Sequence, residues 1–361
     1  MPHSHHSHSG QFCRHAKDSL EEVIQEAIRK GFEVFGLSEH APRWRVEDLF
    51  PEEADLLPSD LLSTYLSFLN LAQSLRRKYE DQISLLISLE TDYITPLDLS
   101  HLTEILHEHE EIDYIVGSVH HVNGISIDFD KKTWKRSIQA CLLGIEGRTM
   151  NPGPPPFLEL SDNPSSASSP SNSPSDSEKT ENDDGDHIPN TADLIPFLEN
   201  YFDAQYDLIN HHKPEIIGHF DLCLLWIPNF KIKDIPCVWE RVERNIKKVV
   251  EYGGLFEANS AAIRKGWKGS YPSEDVLKLI LSLSGKICLS DDSHGVSYVG
   301  LNYIKMKNYL VEQGVKEIWY LVPVAKRQDG DEDVGDRRRI VSRRLENWVE
   351  HPFWSHLEKI Q

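Results

Sequence analysis

Short runs of β-branched and apolar residues alternate with amphipathic, helix-like segments along most of this chain of 361 residues. The first complete unit begins with "DSLEEVIQEAIRKG", in which Ser19 and Glu22 have the spacing of a capping box and Gly31 is a typical helix terminator. The strand-like run "FEVFGLS" follows directly. Strands that alternate with helices in this way form parallel sheets, so the pattern predicts an α/β fold.

The same alternation continues along the chain and sets the number of strands. With a very short strand at the N-terminus we expect seven, the other six being "FEVFGLS", "ISLLISL", "IDYIVGSV", "PEIIGH", "LFEAN" and "KICLS". The run "KEIWYLV" would be an eighth strand. A chain of this length commonly forms one barrel of βα units.

One segment departs from this pattern. Residues 150–190 are rich in Pro, Ser and acidic residues and poor in large apolar ones, with eight acidic residues and one Lys. Such a composition cannot offset the entropy lost on ordering, so we expect a disordered insert. The sequence therefore predicts a single barrel domain made of residues 1–149 and 191–361, interrupted by this insert.

Histidines and carboxylates follow five of the predicted strands at the point where each strand ends. They are Glu39, His40, Glu90, His120, His121, His219, Asp221, Asp291, Asp292 and His294. The active sites of βα barrels are built at this C-terminal edge of the strands. A single His at a strand end is more typical of a structural hydrogen bond than of a metal ligand, so the prediction of a site depends on the whole set.

The His-rich stretch from His3 to His15, "HSHHSHSGQFCRH", has two interpretations. A purification tag is normally an unbroken His run, whereas this stretch leads directly into the first helix signal. The residues after the five later strands favour the other interpretation, in which the stretch is the first ligand loop of the same site. Alternate residues of an extended segment share a face, so an H-x-H pair can bind one metal ion. His3/His5 and His6/His8 both have this spacing, which does not distinguish between them.

The ligand types indicate which metals the site would take. Histidine and carboxylate ligands without thiolates suit zinc, manganese or ferrous iron. About nine such groups are too many for one ion and indicate two or three divalent ions. The five cysteines lie far apart and form no CxxC pair, which argues against a disulfide framework and against a thiolate zinc site.

Charge and hydropathy exclude several classes of partner. The net charge of −20 argues against nucleic acid, since phosphate backbones need a basic face. The chain has no apolar run long enough to span a bilayer and no secretory signal, which predicts a soluble, cytoplasmic protein with no membrane partner. Nothing in the sequence predicts an oligomeric state.

Taken together, the motifs resemble the polymerase-and-histidinol-phosphatase (PHP) family of metal phosphoesterases, and more closely its fungal-type histidinol-phosphatase branch. The family pattern is H-x-H, a later His, strands ending in E/D-H and in Glu, then S-x-H, G-H-x-D and D-x-H. This chain carries each element in order, and the branch-specific text is "CRHAKDSLEEVI", "SEHAPR", "GSVHHVNGISIDFD", "EANSAAIRKG" and "LSDDSHG". The resemblance implies a distorted TIM-like (β/α)7 barrel with a trinuclear metal cluster at the C-terminal edge of the strands.

The resemblance also implies which residues hold the ions. The family H-x-H is best placed at His6 and His8, because this pair keeps the family interval to "CRH". The implied sites are His6, His8 and Asp292 for the first ion, Glu90 as a bridge to a second ion held by His120 and His219, and His15, His40 and His294 for the third. Glu90, His219 and Asp292 are the expected catalytic residues. The doubled pairs His120–His121 and Asp291–Asp292 leave a one-residue choice, in which the family pattern favours His120 and Asp292.

The implied activity is hydrolysis of a small phosphate ester, L-histidinol phosphate, to L-histidinol and phosphate in histidine biosynthesis. Two divalent ions about 3.5–4 Å apart can lower the pKa of a bridging water, and the resulting hydroxide can attack the phosphorus in line. Arg43 and Arg264 are the candidate phosphate-binding residues, because a guanidinium suits bidentate contact with phosphate. For each Arg a surface salt bridge is the competing interpretation. The acidic charge of the chain suits the cationic end of this substrate.

Three alternatives stay open at this point. Another small phosphomonoester or a nucleotide would use the same residues. A nucleic-acid exonuclease or proofreading domain of this family would need a basic groove or a fused polymerase, and the sequence shows neither. A regulatory module with a degenerate metal site would have lost ligands, and none is missing.

Overall fold

The fold is described from a computed structural model, which describes residues 2–144, 189–337 and 339–360. Its strands are β1 (His3–Ser4), β2 (Ser7–His8), β3 (Val34–His40), β4 (Ser84–Glu90), β5 (Tyr114–Gly117), β6 (His121–Val122), β7 (Ile125–Ser126), β8 (Ile216–Ile217), β9 (Leu255–Asn259), β10 (Lys286–Ser290), β11 (Ser293–His294), β12 (Glu317–Pro323), β13 (Glu332–Asp333) and β14 (Ile340–Glu346). Its helices are α1 (Leu20–Arg29), α2 (Pro58–Lys78), α3 (Pro96–Glu108), α4 (Lys131–Leu143), α5 (Thr191–His212), α6 (Pro236–Glu251), α7 (Ala261–Arg264), α8 (Glu274–Ser282), α9 (Tyr303–Glu312) and α10 (Pro352–Ile360).

Seven parallel strands form the centre of the molecule, in the order β1-β3-β4-β5-β8-β9-β10. The amide of His5 donates to the carbonyl of Leu289 at 3.3 Å, which brings the last strand beside the first. The short strands β2 and β11 pair in parallel across the same seam, with His8 opposite His294. The predicted distorted (β/α)7 barrel is therefore confirmed, and it is nearly closed.

The first helix shows how the sequence builds the outer layer of helices. Ser19 accepts a hydrogen bond from the amide of Glu22, and the Glu22 carboxylate accepts from the amide of Ser19, which completes the predicted capping box. The buried side chains of α1, at the i, i+3, i+4, i+7 spacing of one helix face, are Leu20, Val23, Ile24 and Ala27. Burial of each larger side chain stabilises the fold by about 1.5–3 kcal/mol. The chain then turns at Gly31, whose φ of +80° favours glycine.

The run "KEIWYLV" is a strand, β12, but it does not join the barrel. It pairs in antiparallel register with β14, and β13 completes a three-stranded sheet. Trp319 and Leu321 of this sheet pack against inward-facing barrel residues, among them Leu86, Tyr114 and Leu255. The sheet thus covers the N-terminal end of the barrel and leaves the C-terminal end of the strands open for a site.

The predicted insert at residues 150–190 lies outside the described residues except for Pro189 and Asn190. Asn190 belongs to the folded part, because its side chain caps α5 by accepting from the amide of Asp193 at 3.0 Å. On the other side of the insert, α4 ends at Leu143 and packs against α5. Within the described part of the chain, no helix is both long and apolar enough to cross a membrane.

Candidate metal centre

Most of the predicted site residues lie at the C-terminal ends of the barrel strands or in the loops that follow them. His40 and Glu90 end β3 and β4, His8 ends β2, and His294 ends β11, while His120, His219 and Asp292 follow β5, β8 and β10. Because parallel strands of a barrel end at the same rim, residues far apart in the sequence meet there. His6 and His15, from the N-terminal segment, lie at the same rim through the contacts given below.

The carboxylate of Glu90 lies at the centre of this cluster and is 1% exposed. Five imidazoles surround it: Oε1 lies 3.1 Å from Nε2 of His6, 3.2 Å from Nε2 of His120 and 3.0 Å from Nε2 of His219, and Oε2 lies 3.2 Å from Nε2 of His8 and 3.1 Å from Nδ1 of His40. The two oxygens thus face different sets of histidines, and the single carboxylate of Glu90 contacts both sets.

The cluster divides into overlapping groups whose ligand atoms lie within 4.8 Å of one another. The groups are His6, His8 and Asp292; His8, His40 and Glu90; Glu90, His120 and His219; and Cys13, His15, His40 and His294. All nine predicted metal-binding residues fall into these groups. The structure therefore brings the whole predicted set together and adds Cys13 to it.

The residues present fit a set of cations. Nε2 of His6, Nε2 of His8 and Nδ1 of His40 are buried and, although each lies within 3.2 Å of a Glu90 oxygen, none of them forms a hydrogen bond. A buried polar atom without a partner costs free energy, and once its proton is displaced an imidazole nitrogen in this position has a lone pair to offer a metal ion. Histidine and carboxylate atoms of this kind suit zinc and other divalent transition metals.

The electrostatics of the cluster also favour added positive charge. Burial alone would raise the pKa of Glu90, but the charges of His6 and His120 outweigh it and hold that pKa well below the usual range. The pKa of Asp292 is lowered in the same way by His6 and His294 against the effect of burial. The carboxylates are thus ionised in a buried site, where cations would replace the protons on the histidines.

Two carboxylates outside the predicted set contact histidines of the cluster at the ring nitrogens that face away from Glu90. Oε2 of Glu257 lies 3.0 Å from Nδ1 of His6, and Oδ1 of Asp92 lies 3.3 Å from Nδ1 of His120. A carboxylate on the far ring nitrogen fixes the tautomer and orientation of a metal-binding histidine. Glu257 lies inside the strand "LFEAN" and Asp92 two residues after Glu90, so a search for carboxylates within the strands and just after them would have found both.

The structure separates the two H-x-H pairs. His6 and His8 face Asp292, with Nε2 to Oδ1 distances of 3.7 and 3.6 Å. Nε2 of His3 accepts instead from the amide of Leu289 at 2.8 Å, and Nε2 of His5 accepts from the amide of Leu321 at 3.0 Å. His3 and His5 therefore hold the barrel seam and the covering sheet, away from the cluster.

The doubled pairs are separated in the same manner. Nε2 of His120 lies 3.2 Å from Nε2 of His219, whereas Nδ1 of His121 lies 3.2 Å from Asp92. Asp292 faces the cluster, whereas Asp291 accepts from the hydroxyl of Ser4 and the amide of Gly300. Burial raises the pKa of Asp291 to about 6.

An open cavity of about 390 Å³ lies over the cluster. It is lined by His15, His40, Phe50, Glu52, Glu90, His120, Asp128, Phe129, His219, Leu222, Arg264, Lys265, Asp292, His294 and Tyr298. This volume suits a small metabolite. Arg264 lies on this wall over the ring of Tyr298, with 4.3 Å from its Cζ to the ring centroid, and pairs with no carboxylate within the described chain.

Arg43, the other predicted phosphate-binding residue, does not line this cavity. Its guanidinium is buried and bonded to the carboxylates of Glu53 and Asp92, the latter at 3.0 Å. Two carboxylates neutralise its charge and engage both of its terminal nitrogens, and its Nε is buried. The structure therefore does not place Arg43 at the cavity, and its contact with the substrate stays a prediction. Its contact with Asp92, which faces His120, connects it indirectly to the cluster.

Comparisons with known proteins agree with this site. Residues 4–146 match the family model described as "PHP domain". The chain is 41% identical over 92% of both chains to a Schizosaccharomyces pombe protein named "Probable histidinol-phosphatase", and 28% identical over 98% of this chain and 100% of the other to the "Histidinol-phosphatase" of Saccharomyces cerevisiae.

Two solved structures share the fold at low sequence identity. The crystal structure of hisK from Listeria monocytogenes superposes with a TM-score of 0.58 at 19% identity, over 84% of this chain and 98% of the other. The histidinol phosphate phosphatase of Lactococcus lactis, solved with zinc, L-histidinol and phosphate, gives 0.50 at 16% identity, over 94% and 98%. Together with the identity to the fungal proteins along nearly the whole length, these findings show that the chain belongs to the PHP family of phosphoesterases.

Proposed function

We propose that this chain hydrolyses L-histidinol phosphate to L-histidinol and inorganic phosphate. The observation that carries the proposal is the 41% identity, over 92% of each chain, to a protein named as a probable histidinol-phosphatase. The cavity over the cluster agrees with it, since a site with many histidines and carboxylates at the rim of a barrel suits metal-assisted hydrolysis of a phosphate ester. The reaction class is that of a phosphoric monoester hydrolase.

The metal complement that we propose is two or three divalent ions. One would be held by His6, His8 and Asp292, a second by Glu90, His120 and His219, and a third by His15, His40 and His294. Zinc is the first candidate, because it is the metal in the Lactococcus lactis structure, and manganese or iron would accept the same nitrogen and oxygen donors. When bound, such ions supply Lewis-acid activation of water and of the phosphoryl oxygens.

The side chains of the cluster would each contribute a separate part of the chemistry. Glu90 would bridge two ions, since its oxygens face different histidines at 3.0–3.2 Å. His219 and Asp292 line the cavity next to it and would fix the position of the attacking water relative to the ester. Arg264, on the same cavity wall and without a carboxylate partner in the described chain, would bind the phosphoryl oxygens and stabilise the charge that they develop.

Two other groups of lining residues, acidic and aromatic, suit the rest of the substrate. Glu52 and Asp128 add negative charge to the cavity, and Phe50, Phe129 and Tyr298 add aromatic surface. L-Histidinol phosphate has an ammonium group and an imidazole at the end away from the phosphate. Carboxylates attract the first, and aromatic faces stack with the second or contact the cation.

The proposal is tested by phosphate release from a panel of phosphomonoesters, measured as kcat/KM with metal content determined in the same preparations. We expect L-histidinol phosphate to exceed a nucleoside monophosphate and a simple alkyl phosphate, and a chelator to abolish turnover. A preference for another ester would keep the phosphoesterase chemistry and replace the substrate. Growth of a histidinol-phosphatase-deficient histidine auxotroph on expression of this chain would place the activity in histidine biosynthesis, and a fluorescent fusion would check the expected cytoplasmic location.

A further inference from the structure

Cys13 lies inside the metal-binding cluster although its sequence neighbourhood carries no zinc-thiolate motif. Its side chain is buried, with 6% of the residue exposed, and its Sγ lies 3.1 Å from Nε2 of His15. Ligand atoms of Cys13, His15, His40 and His294 all lie within 4.8 Å of one another. Within the described chain, the other groups of converging ligand atoms contain no cysteine.

The loop after β2 fixes the sulfur in this position. The amide of Cys13 donates to the carbonyl of Ser9 at 2.9 Å, and the carbonyl of Cys13 accepts from the amide of Ala16 at 3.1 Å. These bonds fold the loop into turns that place Cys13 and His15 on the same side. His15, His40 and His294 line the cavity, whereas Cys13 lies behind them and closes the group on the protein side.

Packing alone does not explain the surroundings of this sulfur. A buried cysteine that only fills space behaves as a small apolar side chain, as the apolar residues Phe12 and Leu61 on one side of Cys13 would allow. Here imidazole nitrogens converge on it, and Nε2 of His40 lies 3.4 Å from Nε2 of His15. Nδ1 of His40 faces Glu90 at 3.1 Å, so the two nitrogens of this ring face different groups. One sulfur and three imidazoles supply four donors of the types that zinc takes when it is four-coordinate.

We propose that Cys13 is the fourth protein ligand of the ion at the His15–His40–His294 group, so that this site is a Cys-His3 site. The inference rests on the metal dependence of the proposed function. A soft thiolate favours zinc over manganese, so the site prefers zinc more strongly than the sites around Glu90, which have only nitrogen and oxygen donors. Four protein ligands leave fewer open positions for substrate than the groups around Glu90 have.

The test is the spectrum of the full-length protein loaded with cobalt(II), which replaces zinc and reports its ligands. We expect a sulfur-to-cobalt charge-transfer absorption in the near ultraviolet in the wild-type protein and its loss in Cys13→Ser. Cys141→Ser is the matched control, because Cys141 lies on α4 and is not part of any ligand group, and it should keep the band. The Cys13→Ser protein should also retain one zinc ion fewer per chain after purification. Its affinity for zinc at this site should fall by at least about 10- to 100-fold, because even removal of a residue that only hydrogen-bonds to a metal ligand causes a loss of this size.

Each outcome separates this inference from the proposed function. A wild-type protein that binds cobalt fully and turns over but has no sulfur-to-cobalt band overturns the Cys13 assignment alone, as does a band that persists in Cys13→Ser. A wild-type protein that binds no divalent metal overturns the proposed function. If Cys13→Ser does not fold, X-ray absorption at the zinc edge of the wild-type protein decides the matter, since one sulfur per chain at about 2.3 Å, averaged over the bound zinc ions, is expected and a shell of nitrogen and oxygen alone contradicts it.

Discussion

Glu257 and His6 form a buried pair at the base of the candidate metal centre, with 3.0 Å between Oε2 of the carboxylate and Nδ1 of the imidazole. Both side chains are fully buried. Glu257 also accepts from the amide of His219 at 2.6 Å and from the hydroxyl of Ser290 at 2.8 Å. Burial would raise the pKa of Glu257, but the charge of His6 outweighs this effect and the pKa is lowered. A single carboxylate thus connects two strand ends and turns Nε2 of His6 toward Glu90.

We expect Glu257→Gln to weaken metal binding without removing any ligand. A carboxylate accepts hydrogen bonds through both oxygens, whereas an amide accepts only through one. The NH2 group of Gln would therefore face one of the donors that Glu257 now accepts from, and His6 would lose part of its fixed orientation. Loss of such a contact lowers metal affinity by about 10- to 100-fold. Competition with a chelator, followed by metal analysis, measures the change. Glu240→Gln, on the exposed face of α6, is the control and should retain metal like the wild type; equal retention in both variants would contradict the orienting role.

The two H-x-H pairs should fail in different ways when replaced by alanine. His6→Ala with His8→Ala should remove at least one bound metal ion and nearly all activity, because both rings face Glu90 and Asp292. His3→Ala with His5→Ala should keep the metal but lower the free energy of unfolding, since two buried amides lose their acceptors at about 1–3 kcal/mol each. Metal analysis and denaturant unfolding of both double variants distinguish the effects. Metal loss in the His3/His5 variant would show that the metal ligands belong to that pair and that their assignment to His6 and His8 is wrong.

The strand-end histidines and Glu90 could be predicted from the sequence because parallel strands bring their C-terminal ends to one rim, whatever lies between them. Arg43 could not be placed in this way. Its position in "SEHAPR" puts it near the rim, but only the folded chain shows that Glu53 and Asp92 neutralise its guanidinium. Cys13 could not be identified from a CxxC pattern, because the residues that converge on it are His15 of the same loop and His40 and His294 at the ends of two distant strands. The covering sheet of β12, β13 and β14 could not be predicted, because an apolar run does not show whether its strand pairs in parallel or antiparallel.

Removal of the insert should leave both stability and catalysis unchanged. Its composition predicts that it adds no core, and the folded chain on either side is anchored by the packing of α4 on α5. A deletion of residues 150–189, joined by a short Gly/Ser linker, keeps Asn190 as the cap of α5, whose loss would cost about 1 kcal/mol. The thermal midpoint and kcat/KM of the deletion variant are the measurements. A large decrease in either would show that the insert contributes to the barrel or to the cavity.

Arg43→Ala should act on stability first. The substitution leaves Glu53 and Asp92 buried without their cation, which typically costs about 3–5 kcal/mol in the free energy of unfolding. Arg29→Ala, which removes an exposed pair with Glu26 on α1, should cost less than about 1 kcal/mol. Denaturant unfolding compares the two variants. If Arg43→Ala folded with normal stability and lost only substrate affinity, Arg43 would be a substrate contact after all.

Arg264→Ala should reduce catalysis without changing the metal content. Arg264 lies on the cavity wall next to Lys265 and faces the same space as Asp292 and His294, so it can reach a phosphoryl group held over the cluster. Loss of a charged hydrogen bond to that group should cost about 2–4 kcal/mol of transition-state binding, roughly 30- to 1000-fold in kcat/KM.

The lysine variant and a neighbouring control make this last prediction specific. Arg264→Lys should recover only part of the loss, because the ammonium keeps the charge but lacks the planar fork that binds two oxygens at once. Lys268→Ala, at an exposed residue that does not line the cavity, should keep normal kcat/KM. Steady-state kinetics on L-histidinol phosphate, with metals quantified in the same preparations, separates a substrate contact from a ligand defect. Near-normal kcat/KM in Arg264→Ala would leave its contact with the ring of Tyr298 as the function of this side chain.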